Sequence, residues 1–304
     1  MSAKIVKKIK WKEEILGTTF AAIPVFGFLL FNIVPIAMAI YMSVCEVSGY
    51  DITTATYVGF DNFIYLFTDQ NSDFWLSVKN TLYALLSLPL SLCGSILVAA
   101  LLNKNKWMTK TLRIIYFLPY ACSVVAITAM WRWIFDYNYG ILNSVFVSLG
   151  LGRIGWLTES TMFMPSMLIM NVWSGMGYGI ILLSAALTNL PKSIQEAAIL
   201  DGAGPVRAFF SVVLPCISPT IFFLVSIGLI NGLQAFPAFQ VMAADGGPNK
   251  AGLTSVFFIY RAINSNIFIE GMGVACAATM ILTLFIAGIV VTNFKLQKLW
   301  VHYD

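Results

Sequence analysis

The chain has 304 residues and a net charge of +4, and 59% of its residues are hydrophobic while only 11% are charged. Soluble domains typically contain about 25% charged residues, so this composition excludes an ordinary soluble domain and indicates a protein of the lipid bilayer. The small positive charge reflects a bias of lysine and arginine between loops and predicts no nucleic-acid partner.

Six long apolar runs are the predicted membrane spans, because about 20 apolar residues are needed to cross a bilayer. They lie near residues 15–44, 77–102, 114–135, 163–188, 212–240 and 268–292. Continuous runs of this length satisfy their backbone groups as helices and not as strands of a barrel. The sequence therefore predicts an all-α integral membrane protein with about six transmembrane helices.

The same pattern divides the chain into four predicted parts. A basic tail occupies residues 1–14, and the first transmembrane helix with an acidic outer loop occupies 15–76. A core of five transmembrane helices occupies 77–294, and a second tail occupies 295–304. Residues 136–162 carry apolar side chains at helical spacing, which predicts a short helix in the membrane interface.

Lysine and arginine are concentrated in the two tails, in the loop after the second span, and in residues 191–210. Loops on the opposite side are marked by acidic residues instead. Because positively charged loops face the cytoplasm, we expect both termini and residues 191–210 to be cytoplasmic.

Catalytic and metal-binding patterns are absent from the sequence. The chain has one histidine and five scattered cysteines, and it contains neither HExxH nor GxSxG. The stretch from Gly246 to Lys250 does not fit the phosphate-binding pattern GxxxxGK[ST]. We therefore expect no enzyme activity, no metal site and no cofactor on this chain.

Residues 191–210, termed the coupling segment below, interrupt the apolar sequence with a short amphipathic pattern. Pro191 suits a helix start, and Ser193 and Glu196 have capping-box spacing. Gly202 can adopt the left-handed conformation that ends a helix, and Pro205 can begin a second one. The pattern predicts two short helices joined by a sharp turn. On these rules alone, Glu196 could simply cap a surface helix.

The motifs of the coupling segment and of later loops resemble the carbohydrate-type permeases of ABC importers, in the maltose and glycerol-phosphate group. The resemblance covers roughly residues 75–295 and rests on Glu196-Ala197-Ala198, Asp201-Gly202-Ala203, Leu214-Pro215, Tyr116-Phe117-Leu118-Pro119, Trp131, Gly140-Ile141-Leu142-Asn143, Trp156-Leu157 and Asp245-Gly246-Gly247-Pro248. It implies a permease subunit of the bacterial inner or plasma membrane that moves a sugar or oligosaccharide inward by alternating access.

The resemblance also implies the partners of the chain. They are a second homologous permease, distinct or identical, two cytoplasmic ATPase subunits that bind ATP and Mg²⁺, and an extracytoplasmic solute-binding protein. The residues implied for contact with the ATPase are Glu196, Ala197, Ala198, Asp201 and Gly202. Glu196 is expected to face a basic residue, while the small residues admit a close fit.

The solute path is implied by the fourth and fifth spans. Asn171, Gly175 and Tyr178 share one helical face and resemble the substrate-lining stretch of maltose-type permeases. In the fifth span the maltose-type asparagines are replaced by Leu233 and Phe236. The candidates there are Asn231, Gln234 and Phe236. Polar residues inside bundles also bridge helices without touching a solute, so this alternative stays open.

The outer loop Asp245-Gly246-Gly247-Pro248 is the implied contact with the solute-binding protein. Many relatives have threonine where this chain has Asp245. The turn chemistry of Gly-Gly-Pro is retained, but the acidic first residue predicts an altered contact.

Two other function classes remain open at this point. An ion-coupled secondary carrier for a small polar solute is one, although such carriers usually have ionisable residues within their spans and these runs contain almost none. A membrane enzyme or a structural bundle is the other, although no chemical constellation supports it.

Overall fold

The computed structural model describes residues 11–47, 52–69, 72–104, 115–264 and 271–302. The chain forms two compact units, one from residues 1–69 and 265–280 and the other from residues 70–264 and 281–304. Three predicted features lie outside the described residues, namely the basic stretches of residues 1–10 and 105–114 and the start of the sixth span at 268–270.

The first unit contains one long apolar span, Leu16–Ser43. It is built from α1 (Trp11–Phe28), a π-helical turn (Leu29–Ile33) and α2 (Val34–Ser43). Pro35 has no N–H to donate to the preceding turn, and the wider turn lies where that hydrogen bond is missing.

A short antiparallel ladder follows this span and was not part of the all-α prediction. The strands β1 and β2 and the following helix α3 comprise Cys45–Glu46, Thr56–Tyr57 and Asp61–Thr68. The buried Asn62 holds the first strand in place, because its Nδ2 donates to the carbonyls of Ser43 and Cys45 at 3.0 and 2.9 Å. A side-chain contact over this sequence separation leaves no trace in local periodicity.

The second unit is formed mainly by helices α4 to α15. They occupy Phe74–Leu85, Ser87–Lys104, Ile115–Ala121, Val124–Ile134, Ile141–Ser148, Ser160–Asn189, Lys192–Leu200, Pro205–Ala208, Leu214–Cys216, Ser218–Leu233, Pro237–Met242 and Ser255–Asn264, in that order. The last long helix, α16, runs over Gly271–Leu296. The predicted interfacial helix is α8, Ile141–Ser148.

Four of the six predicted spans are continuous enough to cross a bilayer in the described parts of the chain. They are Leu16–Ser43, Phe74–Asn103, Ser160–Asn189 and Gly271–Leu299. The other two predicted spans are broken pairs of helices. The pair α6 and α7 is bent by 111°, and Pro205–Cys216 is bent by 67° against α13.

The predicted continuity of residues 114–135 and 212–240 was therefore wrong, and the local backbone shows why. Ser123, between α6 and α7, has an extended conformation with φ −58° and ψ 136°. In the fifth span, Pro219 has no N–H to donate to the Pro215 carbonyl and its ring would clash with that carbonyl in a continuous helix, and the helix breaks between them at Ile217, with φ −96° and ψ 6°. This span breaks again after Leu233 and resumes only at Pro237.

Close packing of α5 along α9 organises the second unit. A Cβ atom on Gly179 would lie 2.5 Å from Ser95 Oγ, so only glycine allows this separation of the helices. Ser95 Oγ in turn donates across to the Met176 carbonyl at 3.2 Å. Towards one end of the pair, a hydrophobic cluster joins both helices to the start of the fifth span through Ala99, Leu183, Leu187, Val213, Ile217, Ile221 and Leu224.

The end of α16 and the chain after it pack onto the broken fifth span. Asn293 Nδ2 donates to Ser226 Oγ at 2.8 Å, and the backbone N–H of His302 donates to Ser218 Oγ at 2.9 Å. The Trp300 ring lies against Phe222, with ring centroids 6.2 Å apart. Part of the predicted tail thus supports the bend at Ile217.

The close approach of α5 and α9 predicts that alanine substitution at two helical glycines will change the melting temperature differently. Gly179→Ala should lower the melting temperature of the detergent-solubilised protein, because overpacking of this kind costs about 1–3 kcal/mol. The matched control is Gly288→Ala, where an added Cβ would meet nothing within 4 Å. That control should be neutral or stabilising, since alanine favours helix more than glycine does. Equal melting temperatures for the two variants would contradict the packing described.

Candidate functional site

A cavity of about 400 Å³ lies in the second unit where α5, α6, α9 and α13 meet. Its polar lining consists of Ser87, Ser91, Ser95, Tyr120, Asn171, Tyr178 and Asn231. The remaining wall is formed by small and apolar residues, including the backbone between α13 and α14. The cavity therefore offers hydroxyl, amide and aromatic groups to a solute.

Most of the predicted path residues come together on this cavity. Asn171, Gly175 and Tyr178 line it from α9, and Asn231 and Phe236 line it from the fifth span. The shared helical face on α9 is the one expected from the spacing of these residues.

Gln234 is the one predicted path residue that does not line the cavity. It is exposed and follows the last residue of α13, where the helix ends. The prediction placed Gln234 on a continuous helix with Asn231, and the break after Leu233 removes that continuity. Leu233 itself is fully buried.

The serines of α5 are lining residues that the sequence analysis missed. Ser87, Ser91 and Ser95 recur every four residues and therefore form one row on the helix. That spacing in an otherwise apolar span was a usable signal. Each hydroxyl donates to a backbone carbonyl three or four residues earlier in the chain, at 2.7 Å to Ala84 in the last turn of α4, 3.0 Å to Leu88 and 2.6 Å to Ser91, respectively.

An aromatic pair forms another part of the lining. The Tyr120 and Tyr178 rings are stacked, with centroids 4.9 Å apart and an angle of 21° between their planes. Tyr120 lies at the end of α6 and reaches the cavity only because the chain turns sharply before α7. No local pattern in the sequence predicts that position.

The broken fifth span contributes backbone to the cavity wall. Ala235 and Phe236 lie between α13 and α14, and both line the cavity. Thr254, fully buried, donates from Oγ1 to the Ala235 carbonyl at 2.5 Å and so satisfies one of the groups freed by the break. The Phe236 ring packs on Tyr260, with centroids 4.8 Å apart.

The coupling segment forms the two short helices that were predicted, α10 and α11. Gly202 has φ 76°, and the N–H of Ala203 donates to the Ala198 carbonyl at 3.0 Å. This pattern is the Schellman motif, which ends a helix at a left-handed glycine. Because α10 begins at Lys192, Ser193 lies in its first turn and not at the capping position that its spacing to Glu196 suggested.

The exposed face of α10 differs in one respect from the predicted docking face. Glu196, Ala197 and Asp201 are exposed, together with Leu200, whose exposed fraction is 87%. Ala198 is only 7% exposed, because it lies on the side of α10 that packs onto the chain's own helices. Ala198 thus serves the packing of α10, and the exposed face is formed by the other residues.

The predicted outer contact loop is a compact turn. Gly246 and Gly247 have φ values of 93° and 77°, and the Gly247 N–H donates to Asp245 Oδ1 at 3.0 Å. Arg261 donates from its guanidinium to the Asp245 carbonyl. A threonine hydroxyl at position 245 could accept the same Gly247 hydrogen bond, so either side chain is able to close this turn.

Hydrogen bonds from helix α4 fix the chain that follows this loop. Asn80, which is 7% exposed, donates from Nδ2 to the carbonyls of Lys250 and Leu253, at 3.0 Å each. Lys250 also forms an ion pair with Asp73, which directly precedes α4. The C-terminal side of the loop is therefore fixed to α4, which also contributes Ala84 to the cavity lining.

A second loop, predicted to face outward, is organised by the buried Asn143 of α8. Its Nδ2 donates to the carbonyls of Tyr137 and Ile154, and its Oδ1 accepts from the N–H groups of Ile154 and Trp156, at 2.9–3.1 Å. All of its hydrogen-bonding capacity is used. Asn143, the last residue of the Gly140-Ile141-Leu142-Asn143 motif, thus connects this motif to Trp156 of the Trp156-Leu157 motif by a hydrogen bond.

Residues 91–296 match the family described as "Binding-protein-dependent transport system inner membrane component". The chain belongs to this family. The match includes most of α5, all of α9, the coupling segment and the broken fifth span, which together carry most of the cavity lining and the exposed face of α10. The prediction of a helical ABC importer permease is thereby confirmed.

Curated relatives and solved structures agree with this assignment. The chain is 32% identical to the probable ABC transporter permease protein YesP of Bacillus subtilis, over 96% of this chain and 94% of the relative. It is 31% identical to the sn-glycerol-3-phosphate transport system permease protein UgpA of Yersinia pestis, over 90% and 91%. A crystal structure of a bacterial ABC transporter that imports the acidic polysaccharide alginate is similar with a TM-score of 0.80 and 25% identity, covering 94% and 96%.

The hydrogen bonds from Asn80 to Lys250 and Leu253 predict that removing the Asn80 side chain will speed local amide hydrogen exchange. In Asn80→Ala, amides of residues 250–255 should exchange hydrogen about tenfold faster, because two hydrogen bonds to buried carbonyls are lost. The control is Asn264→Ala, since Asn264 is exposed and donates to the Tyr260 carbonyl of its own helix. Hydrogen-exchange mass spectrometry measures both variants. Unchanged exchange in Asn80→Ala would contradict these hydrogen bonds.

Proposed function

We propose that this chain is the membrane-spanning subunit of an ATP-driven importer that takes a sugar or oligosaccharide from a solute-binding protein and passes it inward. The observation that carries this proposal is the continuity of α9. One unbroken helix bears Asn171 and Tyr178 on the cavity and ends at Asn189, only three residues before α10 begins. At 1.5 Å per residue, Tyr178 lies about 16 Å along the axis from the end of α9.

Carbohydrate as the solute is supported by the lining and by the relatives. Sugar hydroxyls both donate and accept hydrogen bonds, and the cavity offers amide groups, hydroxyl oxygens and an aromatic pair suited to the less polar face of a sugar ring. The similar crystal structure belongs to an importer of a polysaccharide, and UgpA serves a glycerol phosphate.

The partners follow from the same proposal. A second structure of the alginate transporter contains its periplasmic protein bound to an alginate pentasaccharide, which supports a solute-binding protein as a partner here. Two cytoplasmic ATPase subunits would bind ATP and Mg²⁺, and a second homologous permease would complete the solute path. This chain itself acts as a transport subunit and not as an enzyme.

The exposed face of α10 is the proposed contact with an ATPase subunit. Glu196 and Asp201 place negative charge at the edge of this face, while Ala197 keeps it low enough for close approach. A basic residue in the ATPase groove would pair with Glu196. This arrangement requires the coupling segment and both termini on the cytoplasmic side of the inner or plasma membrane, as the distribution of lysine and arginine also indicates.

Alternating access would then use the helices already described. When ATP draws the ATPases together, the docked α10 moves, and α9 transmits that movement to the cavity wall. The breaks at Ile217 and after Leu233 let the parts of the fifth span turn separately. Hydrolysis resets the arrangement. An ion-coupled carrier has less support, because the described lining contains no carboxylate that could bind a coupling ion.

Reversing one charge tests the docking face. Glu196→Lys should lower uptake and solute-stimulated ATPase activity by more than about tenfold in the reconstituted complex, because losing a buried interfacial charge pair costs about 2–5 kcal/mol. Folding should be unaffected, since Glu196 is exposed. Glu46→Lys is the control, an exposed carboxylate in β1. Full uptake by Glu196→Lys would rule out the role assigned to this residue.

Removing the Tyr178 side chain tests whether the solute binds in the cavity. Tyr178→Ala should raise the solute concentration for half-maximal uptake about two- to tenfold, because an aromatic contact contributes about 0.5–1.5 kcal/mol. Tyr178→Phe keeps the ring and should lie closer to the unsubstituted protein. Tyr139→Ala, at a residue that is 80% exposed and outside the lining, is the control. Unaltered uptake kinetics in Tyr178→Ala would place the solute elsewhere.

A further inference from the structure

Ser87, Ser91 and Ser95, termed the serine row, determine whether this part of the cavity wall offers hydrogen-bond donors or acceptors to a solute. A serine hydroxyl has one proton, and each serine of the row directs it at backbone carbonyls: Ser87 at Ala84 in α4, Ser91 at Leu88, and Ser95 at both Ser91 and Met176. What remains available to a solute is the oxygen, as a hydrogen-bond acceptor. A sugar hydroxyl can donate to such an oxygen, whereas a carboxylate or phosphate oxygen has no proton to give.

The end of α13 adds negative potential to the same wall. Asn231 and Gly232 of its last turn line the cavity, and the helix ends at Leu233. A helix C-terminus carries roughly half a negative elementary charge. The helix that begins across the break, α14, has only six residues, and its first residue, Pro237, has no N–H to offer an anion.

Among the described residues that line the cavity, none has a cationic side chain, and the ionisable groups are the two tyrosines. Transfer of an unpaired carboxylate or phosphate from water into such a site is unfavourable. We propose that the solute carried past this wall is an uncharged saccharide. This inference rests on the proposed function and narrows its substrate class.

With an uncharged solute, this chain would differ in substrate from two of its relatives, whose solutes are acidic. Alginate is an acidic polysaccharide, and sn-glycerol-3-phosphate carries a phosphate. A shared fold does not fix the charge of the solute, because the fold depends on helix packing while selectivity depends on a few side chains in the lining.

Binding of three trisaccharides that differ in charge tests the inference. The complex is purified through an affinity tag on this chain, placed in nanodiscs, and examined by saturation-transfer NMR at low salt. The probes are maltotriose, which is neutral, trigalacturonate, which is anionic, and the trimer of glucosamine, which is cationic. Maltotriose should bind at least about tenfold more tightly than either charged probe.

A charge placed in the lining provides the second arm. Asn231→Lys puts an ammonium group into the cavity and should raise trigalacturonate binding about tenfold, with the gain lost at high salt. The matched control is Gln234→Lys, an amide three residues further along and outside the lining, which should leave binding unchanged.

The outcomes distinguish this inference from the proposed function. Trigalacturonate or the glucosamine trimer binding as tightly as maltotriose in the unsubstituted complex would overturn the inference and leave carbohydrate import intact. An equal gain in Asn231→Lys and Gln234→Lys would also overturn it, because the lining would then not set the selectivity. If no trisaccharide bound to any form, the carbohydrate assignment itself would fall.

Discussion

The close approach of α5 to α9 is the constraint on which the other features depend. It is possible because Gly175 and Gly179 face Ser91 and Ser95, so small groups meet where larger side chains would separate the helices. Without a hydrophobic driving force between helices in lipid, such close packing and a few interhelical hydrogen bonds hold a bundle together. The same contact brings the serine row and the path residues of α9 to one cavity.

The broken fifth span is the second determinant of the site. Its break after Leu233 ends a helix at the cavity and brings the backbone of Ala235 and Phe236 into the wall. Irregular backbone at membrane depth is tolerated where it lines a cavity and is satisfied by neighbours, as Thr254 does for Ala235. Thr254 directly follows Leu253, whose carbonyl accepts a hydrogen bond from Asn80, so α4, this part of the chain and the cavity wall are joined by hydrogen bonds.

Features set by local chemistry could be predicted from the sequence. The turn at Gly202 follows from its backbone freedom, and Asn171, Gly175 and Tyr178 share a face because of helical spacing. Features set by distant contacts could not. The breaks in two spans turned Gln234 away from the cavity and brought Tyr120 to it. Ala198 points inward because α10 packs onto its own chain, which no local pattern specifies. The four-residue spacing of Ser87, Ser91 and Ser95 could have been recognised in the sequence, but these serines were not predicted to line the path.

The central claim is that the exposed face of α10 meets an ATPase subunit in the cytoplasm and that α9 joins this contact to the cavity. Photocrosslinking tests it most directly, with benzoylphenylalanine in place of the exposed Ala197 and, as a control, of the exposed Ala244 near the outer loop. The account predicts a crosslink from position 197 to an ATPase subunit and none from position 244. A crosslink from position 197 to the solute-binding protein, or to no nucleotide-hydrolysing subunit, would contradict it.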